Sequence, residues 1–146
     1  MGKLPGKESV GVGFSEKRPY LKWLTAVYIL YALVWMSLEG SLVGVVIMGA
    51  GTTAVSLAYL AQRYLGGRSW SLRAWLGGTA VLGLLFGLGS GLLTLAFMAV
   101  KTGLHAHGPE FTPQQIAWVW QQTPLWAAVG LLAGLGLGMI TANGTR

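Results

Sequence analysis

The chain has 146 residues, of which 53% are hydrophobic and 10% charged, with 23 glycines and a mean hydropathy of +0.59. Soluble domains carry about 25% charged residues, so this composition excludes disorder, a water-soluble enzyme and a collagen-like or disulfide scaffold, and leaves an integral membrane protein. Cysteine is absent, which removes disulfides and thiolate metal sites, and the net charge of +6 lies almost wholly outside the apolar runs, where basic residues orient a membrane protein and nucleic acid is no partner.

Residues 1–19 scatter Lys3, Lys7, Glu8, Glu16, Lys17 and Arg18 among glycine and proline and read as a flexible basic cytoplasmic tail with nothing to bury. A bilayer core about 30 Å thick needs about 20 helical residues, because every backbone amide in hydrocarbon must be paired within its own helix. Four stretches meet that need, at 20–38, 41–61, 76–100 and 125–142, with 143–146 as a cytoplasmic end. The expectation is an all-α integral membrane protein, a bundle of four transmembrane helices over 20–142. Few residues around Glu39 separate the first two spans, so one long bent helix from Tyr20 to Ala61 is the alternative. No small-x-small cleavage pattern near Leu38-Glu39-Gly40 suggests that the first span is removed as a signal peptide. All five prolines (Pro5, Pro19, Pro109, Pro113 and Pro124) fall outside the four stretches, consistent with uninterrupted helices.

With an even number of spans, nine of the ten Lys and Arg residues fall on one side and only Lys101 on the other. The positive-inside rule then places the protein in the cell membrane as a multi-pass chain with both termini cytoplasmic. Aromatic residues repeat the division, with Trp23, Tyr64, Trp70 and Trp75 at the inner boundary and Trp35, Trp118, Trp120 and Trp126 at the outer one.

Between spans three and four lies an outer loop with its own helix signals. Thr112 can cap, Pro113 can take the first helical position and Phe111 can staple onto Ile116, giving a short interfacial helix to about Gln121. Thr123-Pro124 repeats the start signal for span four.

Small residues recur at helical spacing inside three spans. Gly83, Gly87 and Gly91 step by four in span three, and Gly130, Gly134 and Gly138 do so in span four. In span two Gly40 and Gly44 are four apart, and Ser41, Gly49, Thr52 and Ser56 make a small, weakly polar face. Such faces let helix backbones approach closely where lipid offers no hydrophobic drive, so Gly44, Gly49 and the glycines of the two ladders are the expected helix-packing residues. Spans three and four are expected to meet along their ladders.

Chemistry has little to work with. Asp and Cys are absent, Glu39 is the one carboxylate close to a span, and the Gly-Leu-Gly-Ser-Gly run from Gly87 to Gly91 lacks nucleophile-elbow spacing. Glu39 reads as an outer-turn carboxylate near the next helix start, with an ion or proton site as the alternative. His105 and His107 beside Glu110 lack the further ligand and support of a metal centre, and Tyr28, Tyr31 and Trp35 form a shared face without a histidine to ligate haem. No cofactor, metal or catalytic residue is expected. Arg63, Arg68 and Arg73 with Trp70 and Trp75 make an inner loop suited to anionic lipid headgroups. The functional expectation is a non-catalytic packing or accessory component of a homo-oligomer or larger membrane assembly. A small oligomeric channel or transporter is the alternative, with Thr52, Ser56, Ser90 and Thr94 lining a weakly polar path and Glu39 at its mouth.

Overall fold

The computed structural model describes residues 20–36, 41–104 and 110–143. Among them the structure is four helices and no β-strand: α1 Tyr20–Met36, α2 Leu42–Leu65, α3 Leu72–Leu104 and α4 Pro113–Asn143. The last three are long and apolar enough to cross a membrane, while α1 has 17 residues. At 1.5 Å per residue α3 runs about 50 Å and α4 about 46 Å, both longer than a hydrocarbon core of about 30 Å. The predicted basic tail, Glu39, the His105 and His107 pair and the last three residues lie outside the described residues.

The first two helices are separate. Ser41 has extended backbone (φ −103°, ψ 154°) and its hydroxyl accepts from the Gly44 amide at 3.0 Å, the geometry of a helix N-cap. The Tyr28 hydroxyl lies 2.8 Å from Thr52 Oγ1, and the Trp35 ring is close to Gly44, so α1 runs back along α2 and a single bent helix is ruled out. The α2–α3 turn reverses through Gly66 and Gly67, and Gly67 has φ +75°, a left-handed conformation that a side chain would strain.

Helix α4 departs from the expected pattern. The expected interfacial helix and fourth span are one continuous helix with Pro124 inside it. Thr112 caps as anticipated, and the cap is reciprocal: the Gln115 amide donates to Thr112 Oγ1 at 3.3 Å, and the Thr112 amide donates to Gln115 Oε1 at 2.8 Å. Thr123, expected as a second cap, instead donates its hydroxyl to the Val119 carbonyl at 2.8 Å. The physical reason is the burial pattern. Val119, Thr123, Ala127, Gly130, Gly134 and Gly138 share one buried stripe, so the seam against α3 continues upstream of Pro124 and offsets the hydrogen bond that proline removes. Phe111 is buried in the bundle core, while Ile116 stays exposed.

Contact is most extensive between α3 and α4, smaller between α2 and α3, and slight between α1 and α2. The antiparallel α3–α4 seam is lined by the two glycine ladders. A methyl at Gly83 would lie 2.8 Å from the Gly130 carbonyl carbon and 3.0 Å from Gly134 Cα. One at Gly87 would meet Ala127 Cα at 2.6 Å, and one at Gly91 would run into the Thr123 side chain. Helix α2 approaches α3 in the same way, since a methyl at Gly49 would lie 2.8 Å from both the Ser90 carbonyl oxygen and the Thr94 amide. Gly44 is looser, facing the Trp35 ring at 3.6 Å.

Two apolar clusters close the ends. Trp35, Val45, Met48, Met98, Phe111 and Val119 bring all four helices together at one end. At the other, Trp75 and Ala142 pack with Trp70, and the Trp75 indole donates to the Gly138 carbonyl at 3.2 Å and Thr141 Oγ1 at 3.0 Å. Trp35 and Trp75, assigned by sequence to interfacial belts, are therefore interior residues, whereas Trp23, Tyr64, Trp118 and Trp120 stay exposed.

Candidate functional site

Among the described residues Lys101, in the last turn of α3, is the largest fully buried side chain, with none of its surface exposed. Its Nζ lies 3.5 Å from Glu110 Oε2 and 4.8 Å from the centroid of the Trp35 ring. An ammonium group withdrawn from water carries a desolvation cost of several kcal/mol, which the carboxylate and the negative face of the indole offset. The arrangement ties the segment before α4 to the ends of α1 and α3. By sequence alone Lys101 falls just beyond the third span on the outer side, and Glu110 falls beside His105 and His107. The available signal was periodicity, since Lys101 continues the face of Ser90, Thr94 and Met98, all buried on α3. Among the described residues no three potential metal ligands come together.

The residues singled out for a weakly polar path divide into two places. Thr52 and Ser56 line a groove of about 500 Å³ between α1, α2 and α3. Ser90 and Thr94 lie instead on the buried face of α3 that receives Gly49. Their hydroxyls donate to their own helix, Ser90 to the Phe86 carbonyl at 2.6 Å and Thr94 to the Ser90 carbonyl at 2.7 Å. Thr53 does the same toward Gly49 at 2.8 Å. A hydroxyl bonded to the i−4 carbonyl has its donor satisfied in place, so this interior face serves close packing. In the groove, Tyr28 Oη donates to the Met48 carbonyl at 3.0 Å, and Thr52 Oγ1 donates to the same carbonyl at 2.8 Å. Much of the remaining wall is apolar, with Ile29, Leu33, Val55 and Phe97 contributing to it.

At the opposite end from Lys101, Arg63 in the last turn of α2 is exposed, donates to Tyr59 Oη at 3.4 Å and lies 5.7 Å from the centroid of the Tyr64 ring. Arg68 and Arg73 are exposed in the turn and the first residues of α3. Three guanidinium groups thus gather near one turn, with no acidic residue between them in sequence.

No family model matches the chain, and no curated protein or solved structure matches it.

Proposed function

We propose that this is a four-span membrane protein whose work is done by helix packing rather than by chemistry, as a structural or accessory component that assembles with copies of itself or with other membrane subunits. The observation that carries this reading is the use made of its small and hydroxylated residues. On α2, α3 and α4 Gly49 and the two glycine ladders sit where the helices approach closely and most buried hydroxyls are satisfied by their own helices, while large apolar side chains such as Ile47, Leu92, Leu132 and Ile140 face outward. Glu110 is the one carboxylate among the described residues, and it is committed to Lys101. In this reading α1, about 26 Å long at 1.5 Å per residue, is the remaining span.

The charge distribution supports an orientation with the Arg63, Arg68 and Arg73 turn in the cytoplasm against anionic headgroups, both termini on that side and the Lys101–Glu110 end outside. Single cysteines at Ser9, Ser69 and Thr112 test it in intact cells: an impermeant reagent is expected to label only the third, and labelling of either of the first two from outside overturns the topology. The role itself is tested by mild-detergent purification with mass analysis, followed by flux assays in liposomes. A stoichiometric partner or a non-conducting homo-oligomer is expected. A homo-oligomer that conducts, and loses conduction with Thr52→Leu or Glu39→Gln, replaces this reading with a channel.

A further inference from the structure

We propose that the groove between α1 and α2 binds one anionic phospholipid, with an acyl chain between the helices and the headgroup at Arg63. The inference rests on the proposed bilayer location. Its starting point is how lightly α1 is attached: the Tyr28 hydroxyl and the Trp35 ring hold it to α2, and between those helices and α3 remains a space of about 500 Å³. The Tyr28 and Thr52 hydroxyls and the Met48 carbonyl lie within hydrogen-bond reach of one another, so both hydroxyl protons have an acceptor within this cluster and the wall makes little demand for a polar occupant. Water entering there gains few partners, and an empty groove forfeits dispersion contacts along its whole lining. Hydrocarbon is the remaining occupant.

Size agrees with that. At about 30 Å³ for a water-sized group, the space takes roughly sixteen such groups, the carbon count of an ordinary acyl chain. The α1 wall, from Thr25 to Met36, runs about 17 Å at 1.5 Å per residue, a little more than half of a 30 Å hydrocarbon core and so the depth of one leaflet.

Charge selects the headgroup. Tyr59 lines the groove and accepts a hydrogen bond from Arg63, whose guanidinium is exposed just beyond it. Because Tyr28 sits opposite Thr52 in an antiparallel pair, Lys22 in the first turn of α1 falls at the same end as Arg63. No acidic side chain stands on α1 or α2 to neutralise these two cations. The mouth of the groove is cationic where headgroups begin, which favours a phosphodiester with net negative charge over a zwitterion.

Native mass spectrometry of the full chain in mild detergent, titrated with palmitoyl-oleoyl phosphatidylglycerol and with phosphatidylcholine of the same chains, tests this directly. One phosphatidylglycerol per chain is expected to be retained in preference to phosphatidylcholine. Arg63→Gln is expected to lower phosphatidylglycerol retention about fivefold, the factor equivalent to the roughly 1 kcal/mol one basic residue contributes toward anionic lipid, and to leave phosphatidylcholine unchanged. Arg63→Lys, which keeps the positive charge, is expected to keep the phosphatidylglycerol preference. Ala32→Phe, which fills the groove, is expected to reduce retention of both lipids, and Ser56→Phe makes the same test from the α2 wall. An arm without mutation uses dihexanoyl phosphatidylglycerol, which offers the headgroup with little chain and is expected to bind weakly. Equal retention of the two headgroups by the wild-type protein, identical behaviour of Arg63→Gln and Arg63→Lys, or tight binding of the dihexanoyl lipid each overturns the proposal. Flotation with liposomes separates the two levels: protein that floats but shows no phosphatidylglycerol preference overturns the lipid site alone, while protein that fails to float overturns the bilayer reading beneath it as well.

Discussion

The α3–α4 pair and helix α1 solve the same problem in opposite ways. Along α3 and α4 the seam is made largely of glycine, alanine and small hydroxylated residues, so the backbones meet and dispersion contacts accumulate without large side chains. Helix α1 carries no glycine; its Val27, Leu30 and Val34 point away from the bundle, and the Tyr28 hydroxyl and the Trp35 indole hold it to its neighbours. Apolar character is therefore a poor guide to which helix of this chain packs tightly. Small residues at the right spacing decide it, as expected for the proposed bilayer location, where a large apolar side chain is as well solvated outside the bundle as inside.

The largest effect is expected at the seam. Gly87→Leu would place a side chain against the Trp126 carbonyl and the Ala127 backbone, neither of which can move without separating the helices. A loss of about 3 kcal/mol or more is expected, read as a collapse of the thermal unfolding midpoint in mild detergent, whereas Leu92→Ile on the exposed face leaves it unchanged. Equal tolerance of both would dissolve the contrast between the two regions.

Next comes the buried Lys101–Glu110 pair, which ties the segment before α4 to the end of α3. Lys101→Met removes the cation from the buried Glu110 carboxylate, and about 3 kcal/mol of destabilisation is expected. Adding Glu110→Gln to it is expected to restore most of that loss, because a neutral pair no longer carries the desolvation cost of a lone charge. Chemical unfolding of the two single variants and the double variant measures the coupling.

Tyr28→Phe removes the hydroxyl that joins α1 to Met48 and Thr52, with an expected cost of about 1 kcal/mol. The sharper readout is local: amide exchange should quicken in α1 and stay slow in α3 and α4. Uniform change across all four helices would mean that α1 is as integral as the glycine pair. The smallest effect is expected at Gly136, where an added methyl meets nothing within 4 Å. Gly136→Ala should shift stability by no more than about 0.5 kcal/mol, which marks the ladder positions, and not glycine in general, as the sensitive ones.

Much of the architecture was open to reading from the sequence, because its causes are local. Runs of apolar residues about 20 long, glycines four apart, and a Thr-Pro-x-Gln start signal each follow from one helix's own period and caps, and they located α2, α3 and the start of α4 to within a few residues. Three features were settled only by contacts between distant segments. Pro124 is inside a helix because α3 supplies a seam on both sides of it, a fact no window around Thr123-Pro124 contains. Ser90 and Thr94 part from Thr52 and Ser56 because Gly49 on α2 turns one face of α3 inward, while the other two residues look toward α1. Lys101 is buried because Glu110 and Trp35, nine positions ahead and 66 positions behind, arrive from two other parts of the chain to balance its charge. Periodicity reports which way a side chain points on its own helix; what waits there for it is a property of the assembled bundle.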